Sequence, residues 1–354
     1  MNVPAGAKGL PTLPRTTTLL VGAAALFFII AGLRSASGIV GPGMLALALT
    51  IVFHPMRAAL DKRLPTWAAS VVVLVAAYVL IVLMTLALVV SVGRLAVLIP
   101  SYAPQISDLV DDVGHWLADR GVGTDQVDAV VGAMDVGKVV DVATKLLSSI
   151  LAIFTNLFFI ITLLLFLAFD AAHVSRLADG ARAHRPELVE ALEHFAQGTR
   201  SYLGVSAIFG LIVAVIDTAV LAAMGVPGAF VWGVLAFVTN FIPNIGFVIG
   251  VIPPAVIGLL EGGPGLMIWV IVVYSLINLV IQSVIQPRYV GNAVGLSTTL
   301  TFMSLVFWAW VLGPLGALLA VPMSLLFKAI LVEADPGSRW MEPLISGKPA
   351  EDPA

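Results

Sequence analysis

The sequence predicts an all-α, polytopic integral membrane protein with seven or eight membrane segments, two of them broken or re-entrant. Three observations carry that expectation. Of 354 residues, 60% are hydrophobic and only 11% are charged, whereas a soluble domain carries about a quarter charged residues. The apolar residues form long uncharged blocks, unlike the short alternating runs of a membrane β-barrel. Several blocks approach the roughly 20 residues that a helix needs to cross hydrocarbon with its own backbone satisfied.

The same composition excludes other classes. A net charge of −3 offers no electrostatic footprint for nucleic acid. The chain has no cysteine, so no disulfide or thiolate chemistry is expected. His54, His115, His173, His184 and His194 stand in no metal-ligand spacing, and no Walker motif occurs. No metal, cofactor or enzymatic activity is therefore expected.

The elements follow from the apolar runs. Residues 1–17 form a tail, read as cytoplasmic. Runs 18–33 and 39–53 are short and separated by Arg34 and a Ser/Gly turn, so a tight helical hairpin is expected. The first of them lacks an A-x-A exit and is read as a retained helix, not a cleaved signal. With the long run 67–92 they make a first unit, 18–92. Residues 93–145 hold eight Asp against four Lys/Arg and are read as extracytoplasmic. There Ile106, Leu109, Val110, Val113, Trp116 and Leu117 recur at helical spacing, an amphipathic stripe, and the aspartates form a solvated face. Run 146–169 is a fourth membrane helix. Residues 170–200, with Arg176, Arg182, Arg185 and Arg200, are a cytoplasmic loop. The late half, 201–332, holds a fifth helix at 202–224 and three apolar blocks, 230–260, 266–285 and 300–332, interrupted by Gly and Pro. Residues 333–354 form a second cytoplasmic tail.

Lys and Arg near helix ends set the orientation. Lys8, Arg15, Arg57, Lys62, Arg63 and the four arginines of 170–200 fall on one side when the N-terminus is cytoplasmic, with Arg34 as the lone violation. Lys328, Arg339 and Lys348 put the C-terminus on that side too. Two topologies satisfy this. All three late blocks cross, or 230–260 and 300–332 dip in and return while 266–285 crosses. The second places Arg288 inside, as the charge rule prefers.

Four features of the late half are candidates for chemistry. Asp217 is the sole residue charged at neutral pH between Arg200 and Glu261, and an Asp at a helix centre costs about 2.5–3.5 kcal/mol on insertion scales. It shares a polar, small face with Thr199, Ser206 and Gly210. It is either a proton- or cation-binding carboxylate or a structural Asp bonded to a neighbouring helix. The second feature is the break around Asn240, Pro243, Asn244 and Gly246. Proline removes an N–H and glycine permits unwinding, and broken helices at membrane depth are tolerated where they are buried or line a cavity. Asn278, Gln282 and Gln286, spaced by four, form an amide stripe that faces helices or water rather than lipid. It is either interhelical glue or pathway lining. The last is a second break, at Gly313 to Gly316, followed by Pro322.

Read together, the segment from Asn240 to Pro254, the segment from Asn278 to Leu296 with its Pro287-x-x-x-Gly291 step, and the closing run from Gly313 to Pro322 resemble the broken segments of the AI-2E transporter family. The order of elements fits this family over nearly the whole chain. Phe247 after Gly246, Ser297 after Leu296, and Pro314 are departures from the family's usual residues. The resemblance implies a secondary transporter in the cytoplasmic (inner) membrane of a bacterium. Its cargo would be a small solute, in some members the signal autoinducer-2, and in some members transport is sodium/proton exchange. It also implies a homo-oligomer. On this reading Asp217 binds the coupling ion, the two breaks and the amide stripe line the path, and the partners are the lipid bilayer and a small molecule or ion. The alternatives are a non-transporting scaffold that docks envelope proteins through 102–147, and a passive channel.

Overall fold

The computed structural model describes residues 14–102, 157–170, 174–243, 245–286 and 295–347, with a few positions between 104 and 120. Most of the expected outer stretch, Asn244, and the Pro287–Gly291 step with Arg288 lie outside the described residues. Among the described residues every regular element is helical.

Helix α1 (Arg15–Ser35) and α2 (Ser37–Leu60) are separated by Ala36 alone. One residue is too short a turn to fold two helices back on each other. The expected tight hairpin is therefore an elbow, and α1 lies instead against the late half, with Arg34 stacked 4.5 Å from the Trp310 ring. That contact gives the charge that breaks the orientation rule a local partner. Helix α3 (Thr66–Ser101) has a length of about 54 Å at 1.5 Å per residue. It overruns a hydrocarbon core of about 30 Å. Helix α4 (Leu157–Asp170) packs with α2 and α3 around Ala46, Ala77, Ile81, Ile160 and Leu164; the alanines let the backbones approach, as membrane interfaces require.

After the short α5 (Val174–Arg182) comes α6 (Pro186–Ala223). Residues 186–200 were expected in an aqueous loop. They form the first turns of the same helix, because Pro186 starts it and nothing in the Glu/Arg surface pattern ends it. Helix α6 touches α2, α7, α8 and α11, which makes it the central post.

The late half is a set of helix reversals. Helix α7 (Ala229–Thr239) runs into the break, and α8 (Gly246–Asn278) leaves it. The turn is held by Ile242 N–H on the Thr239 carbonyl and Gly246 N–H on the Ile242 carbonyl. A Cβ on Gly246 would sit 1.9 Å from the Thr239 carbonyl oxygen, so only glycine allows this return. By length α8 counts among the helices able to span a bilayer, but it is not one rod. Gly263 has φ 71° and ψ −170°, and the chain doubles back there. Consequently a Cβ on Gly258 would lie 3.3 Å from Val270, and Gly250 faces the Tyr274 hydroxyl. The second arm passes into a π-helical stretch, Leu279–Ile285.

Helix α9 (Thr298–Leu312) is capped by the Ser297 hydroxyl, which accepts from Leu300 N–H. It ends at Gly313, φ 69°. Helices α10 (Pro314–Leu318) and α11 (Ala320–Lys328) return alongside it, with Trp308 Nε1 donating to Ser324 Oγ at 3.0 Å. Beyond α11 a second π stretch (Ala329–Glu333), a 3-10 turn (Pro336–Met341) and α12 (Glu342–Ser346) bring the chain back to α9, where Ser297 N–H donates to Ile345.

Large apolar side chains are exposed along most of these helices, among them Phe27, Phe28, Phe166, Ile208, Leu211, Trp269 and Trp310. In water that surface would be prohibitive; against lipid it is the expected outer wall. Among the described residues α2, α3, α6 and the folded-back α8 are long and apolar enough to span, and the chain is a multi-pass membrane protein.

The glycine at the second reversal gives a direct check. A Cβ on Gly316 would meet the Trp308 carbonyl oxygen at 1.9 Å, so Gly316→Ala should lower stability by about 1–3 kcal/mol, read as the melting temperature in detergent. Gly22→Ala, where nothing lies within 4 Å, should leave it unchanged or slightly raised.

Candidate transport site

Asp217 sits on the buried face of α6 with Thr199, Ser206 and Gly210, as its spacing predicts. It is 1% exposed. Neither carboxylate oxygen closes a hydrogen bond of standard geometry, and the polar groups beside it are Tyr274 and Asn278 of α8. The carboxylate is therefore closed off from solvent in this conformation.

A chain of amides leads from there to the first break. Gln282 Nε2 donates to Asn278 Oδ1 at 2.8 Å and to Asn240 Oδ1 at 2.9 Å. Asn240 Nδ2 donates to the Ser206 carbonyl on α6 at 2.8 Å, and Asn278 Nδ2 to the Tyr274 carbonyl at 2.9 Å. Gly210 makes room for this, since a Cβ there would lie 2.9 Å from Asn240 Nδ2. One turn earlier on α6, the Tyr202 hydroxyl donates to the Phe241 carbonyl that the break frees, at 2.9 Å. Three elements far apart in sequence are thus tied by side chains around the unwound segment. The Asn278 bond is buried and the others are part-buried, so leaving one unmade costs desolvation of its group.

The sequence candidates divide accordingly. Asp217, Asn240, Asn278 and Gln282 are brought together, with Pro243 in the adjoining turn and Gly246 closing it. Gln286 lies one turn beyond Gln282, half-buried. Gly313 and Gly316 build the second reversal and do not join the amide chain. The two breaks do meet through apolar packing: Phe241, Ile242 and Ile245 rest on the buried cluster that contains Leu203, Leu312 and Leu319.

Sequence reasoning missed Tyr274 and Tyr202. Both had a signal, since Tyr274 precedes Asn278 by four and Tyr202 precedes Ser206 by four. Each extends a polar face already recognised. Also missed was the tether at the α8 reversal, where the Tyr102 hydroxyl donates to the Glu261 carboxylate across the end of α3. Burial, with the carboxylate beside it, pushes the Tyr102 hydroxyl up to about 12, so it stays a donor at any physiological pH.

Comparison with known proteins matches residues 19–334 to the AI-2E family transporter model. The AI-2 transport protein TqsA of Escherichia coli (strain K12) is 30% identical over 326 residues, which cover 91% of this chain and 93% of that protein. The protein YhhT of the same strain is 29% identical over 338 residues, 94% of this chain and 95% of its own length.

If the amides act as one unit, their removal is not additive. Asn240→Ala and Gln282→Leu, singly and combined, should show a coupling of about 0.6–2 kcal/mol in a detergent melting cycle; strictly additive losses would mean that the two side chains do not support each other.

Proposed function

Because the chain belongs to the AI-2E family of transporters, we propose that it is a secondary transporter of the bacterial inner membrane, moving a small polar solute with Asp217 binding the coupling proton or cation. The supporting observation is the buried carboxylate, which closes no hydrogen bond of standard geometry, beside Tyr274 and the amide chain of Asn278, Gln282 and Asn240. An ionisable group inside a membrane is costly unless it pairs or binds something. Here a bound proton or cation would complete it, and the adjacent unwound segment supplies carbonyls of the kind that coordinate ions and solutes. A quorum-sensing signal is the first cargo to test, since one relative carries AI-2 transport in its name.

The proposed topology has both reversals entering the membrane and returning. Helix α7 with the first arm of α8 forms one re-entrant hairpin, and α9 with α10 and α11 forms the other. The second arm of α8 crosses between them. The arginine-rich ends and both termini face the cytoplasm, and the Glu261–Gly263 reversal faces outward. Pro243, Asn244, Gly246, Gln286, Gly313 and Gly316 would then flank the path around the four grouped side chains. Access to Asp217 would need the two hairpins to part where Phe241, Ile242 and Ile245 pack against the Leu203 cluster. Assembly as a homo-oligomer is part of the proposal.

Flux of purified protein in proteoliposomes, against a panel including autoinducer-2, sodium and protons, tests the coupling role. Asp217→Asn should abolish the pH or sodium dependence of flux, and unchanged dependence would refute it. The topology is tested separately by Glu261→Cys: labelling by an impermeant reagent from outside the cell supports the re-entrant arrangement, and labelling only from the cytoplasmic side contradicts it.

A further inference from the structure

Arg57 is charged, near the end of α2, and only 3% exposed. Its Nη1 donates to the Ala168 carbonyl at the end of α4, and its Nε lies 3.6 Å from the half-exposed Asp61 carboxylate. Neither Nε nor Nη2 holds a hydrogen bond. A buried guanidinium with one carbonyl and one distant carboxylate is under-compensated, because a buried charge is tolerated only when its donors are filled.

The surroundings indicate what fills them. Arg57 lines a cleft between α2, α3 and α4 whose other walls are Leu49, Phe53, Val73, Leu74 and Leu164, with His54 beside it. Counting its open mouth the cleft spans about 340 Å³. Inside, it has room for no more than one water-sized group, the size of a single phosphoryl oxygen, and its walls are mainly apolar. Lys62 and Arg63 follow in the exposed turn after α2. A planar guanidinium with a free edge is suited to phosphate, and a basic pocket between membrane helices on the cytoplasmic side binds anionic head groups.

We propose that this cleft is a binding site for an anionic phospholipid of the cytoplasmic leaflet. One phosphoryl oxygen takes the place beside Arg57, where Nη2 is unbonded but sealed in this structure and is reached once the cleft walls part; the glycerol and upper acyl carbons lie along Phe53, Leu74 and Leu164. Which leaflet supplies the lipid rests on the orientation proposed above; the site itself does not depend on Asp217 or on transport.

Native mass spectrometry of the full-length protein in detergent tests it with phosphatidylglycerol, phosphatidylcholine and inorganic phosphate as probes. Wild type should retain phosphatidylglycerol over phosphatidylcholine by at least about fivefold, the worth of one basic contact at a membrane surface. Arg57→Gln should lose that preference. Leu74→Trp, which fills the cleft and leaves every charge in place, should lower retention of phosphatidylglycerol, and it carries the test if Arg57→Gln does not fold. Equal retention of both lipids by wild type overturns the proposal, as does undiminished phosphatidylglycerol retention in the variant that folds. Displacement of phosphatidylglycerol by millimolar inorganic phosphate would show a free-anion site and overturn the lipid assignment.

Discussion

The requirement that a broken helix still have its polar backbone satisfied governs the late half of this protein. A helix that breaks at membrane depth exposes carbonyls and N–H groups that lipid cannot serve. Here the break after α7 is served from outside itself. Tyr202 reaches the freed Phe241 carbonyl, and Asn240 anchors to the α6 backbone while Gln282 holds its other end. The central position of α6 follows from this, because it supplies the Tyr202 and Ser206 partners and packs against α2, α7, α8 and α11.

The same arrangement gives the carboxylate its setting. Asp217 lies on the α6 face that meets the second arm of α8, so any change in how α8 and the break sit against α6 changes what surrounds it. The apolar contact between the two reversals joins them mechanically: Phe241, Ile242 and Ile245 on one side, Leu312 and Leu319 on the other. A conformation in which Asp217 is closed off from solvent is compatible with a carrier, provided that this apolar seam is what opens. Under the proposed function the amide chain would have two duties, satisfying the break when closed and presenting donors and acceptors when wet.

Much of this was legible in the sequence. The four-residue spacing of Asn278 and Gln282, and the shared helix face of Ser206, Gly210 and Asp217, are periodicities that survive folding, and the structure joins these positions. The elbow at Ala36 was not legible, since a Ser/Gly turn reads alike whether the helices fold back or splay. The continuity of α6 through its charged first turns was hidden because hydropathy marks where lipid begins, not where a helix does. The reversal at Gly263 requires knowing that Gly258 packs on Val270, a tertiary contact with no local signal beyond Gly-Gly-Pro. Arg57 contributed to orientation as a counted charge; that it is buried and half-unbonded depends on where α4 ends.

The account depends on the amide-lined break becoming accessible to water during transport. The native chain has no cysteine, so a single Gln282→Cys can be probed by a small water-soluble thiol reagent in membranes. The account predicts slow labelling in the resting protein, with a rate that changes when solute or an ion gradient is applied. The same lack of labelling with and without solute and gradient, in protein that still transports and with Ser338→Cys labelling normally, would contradict it.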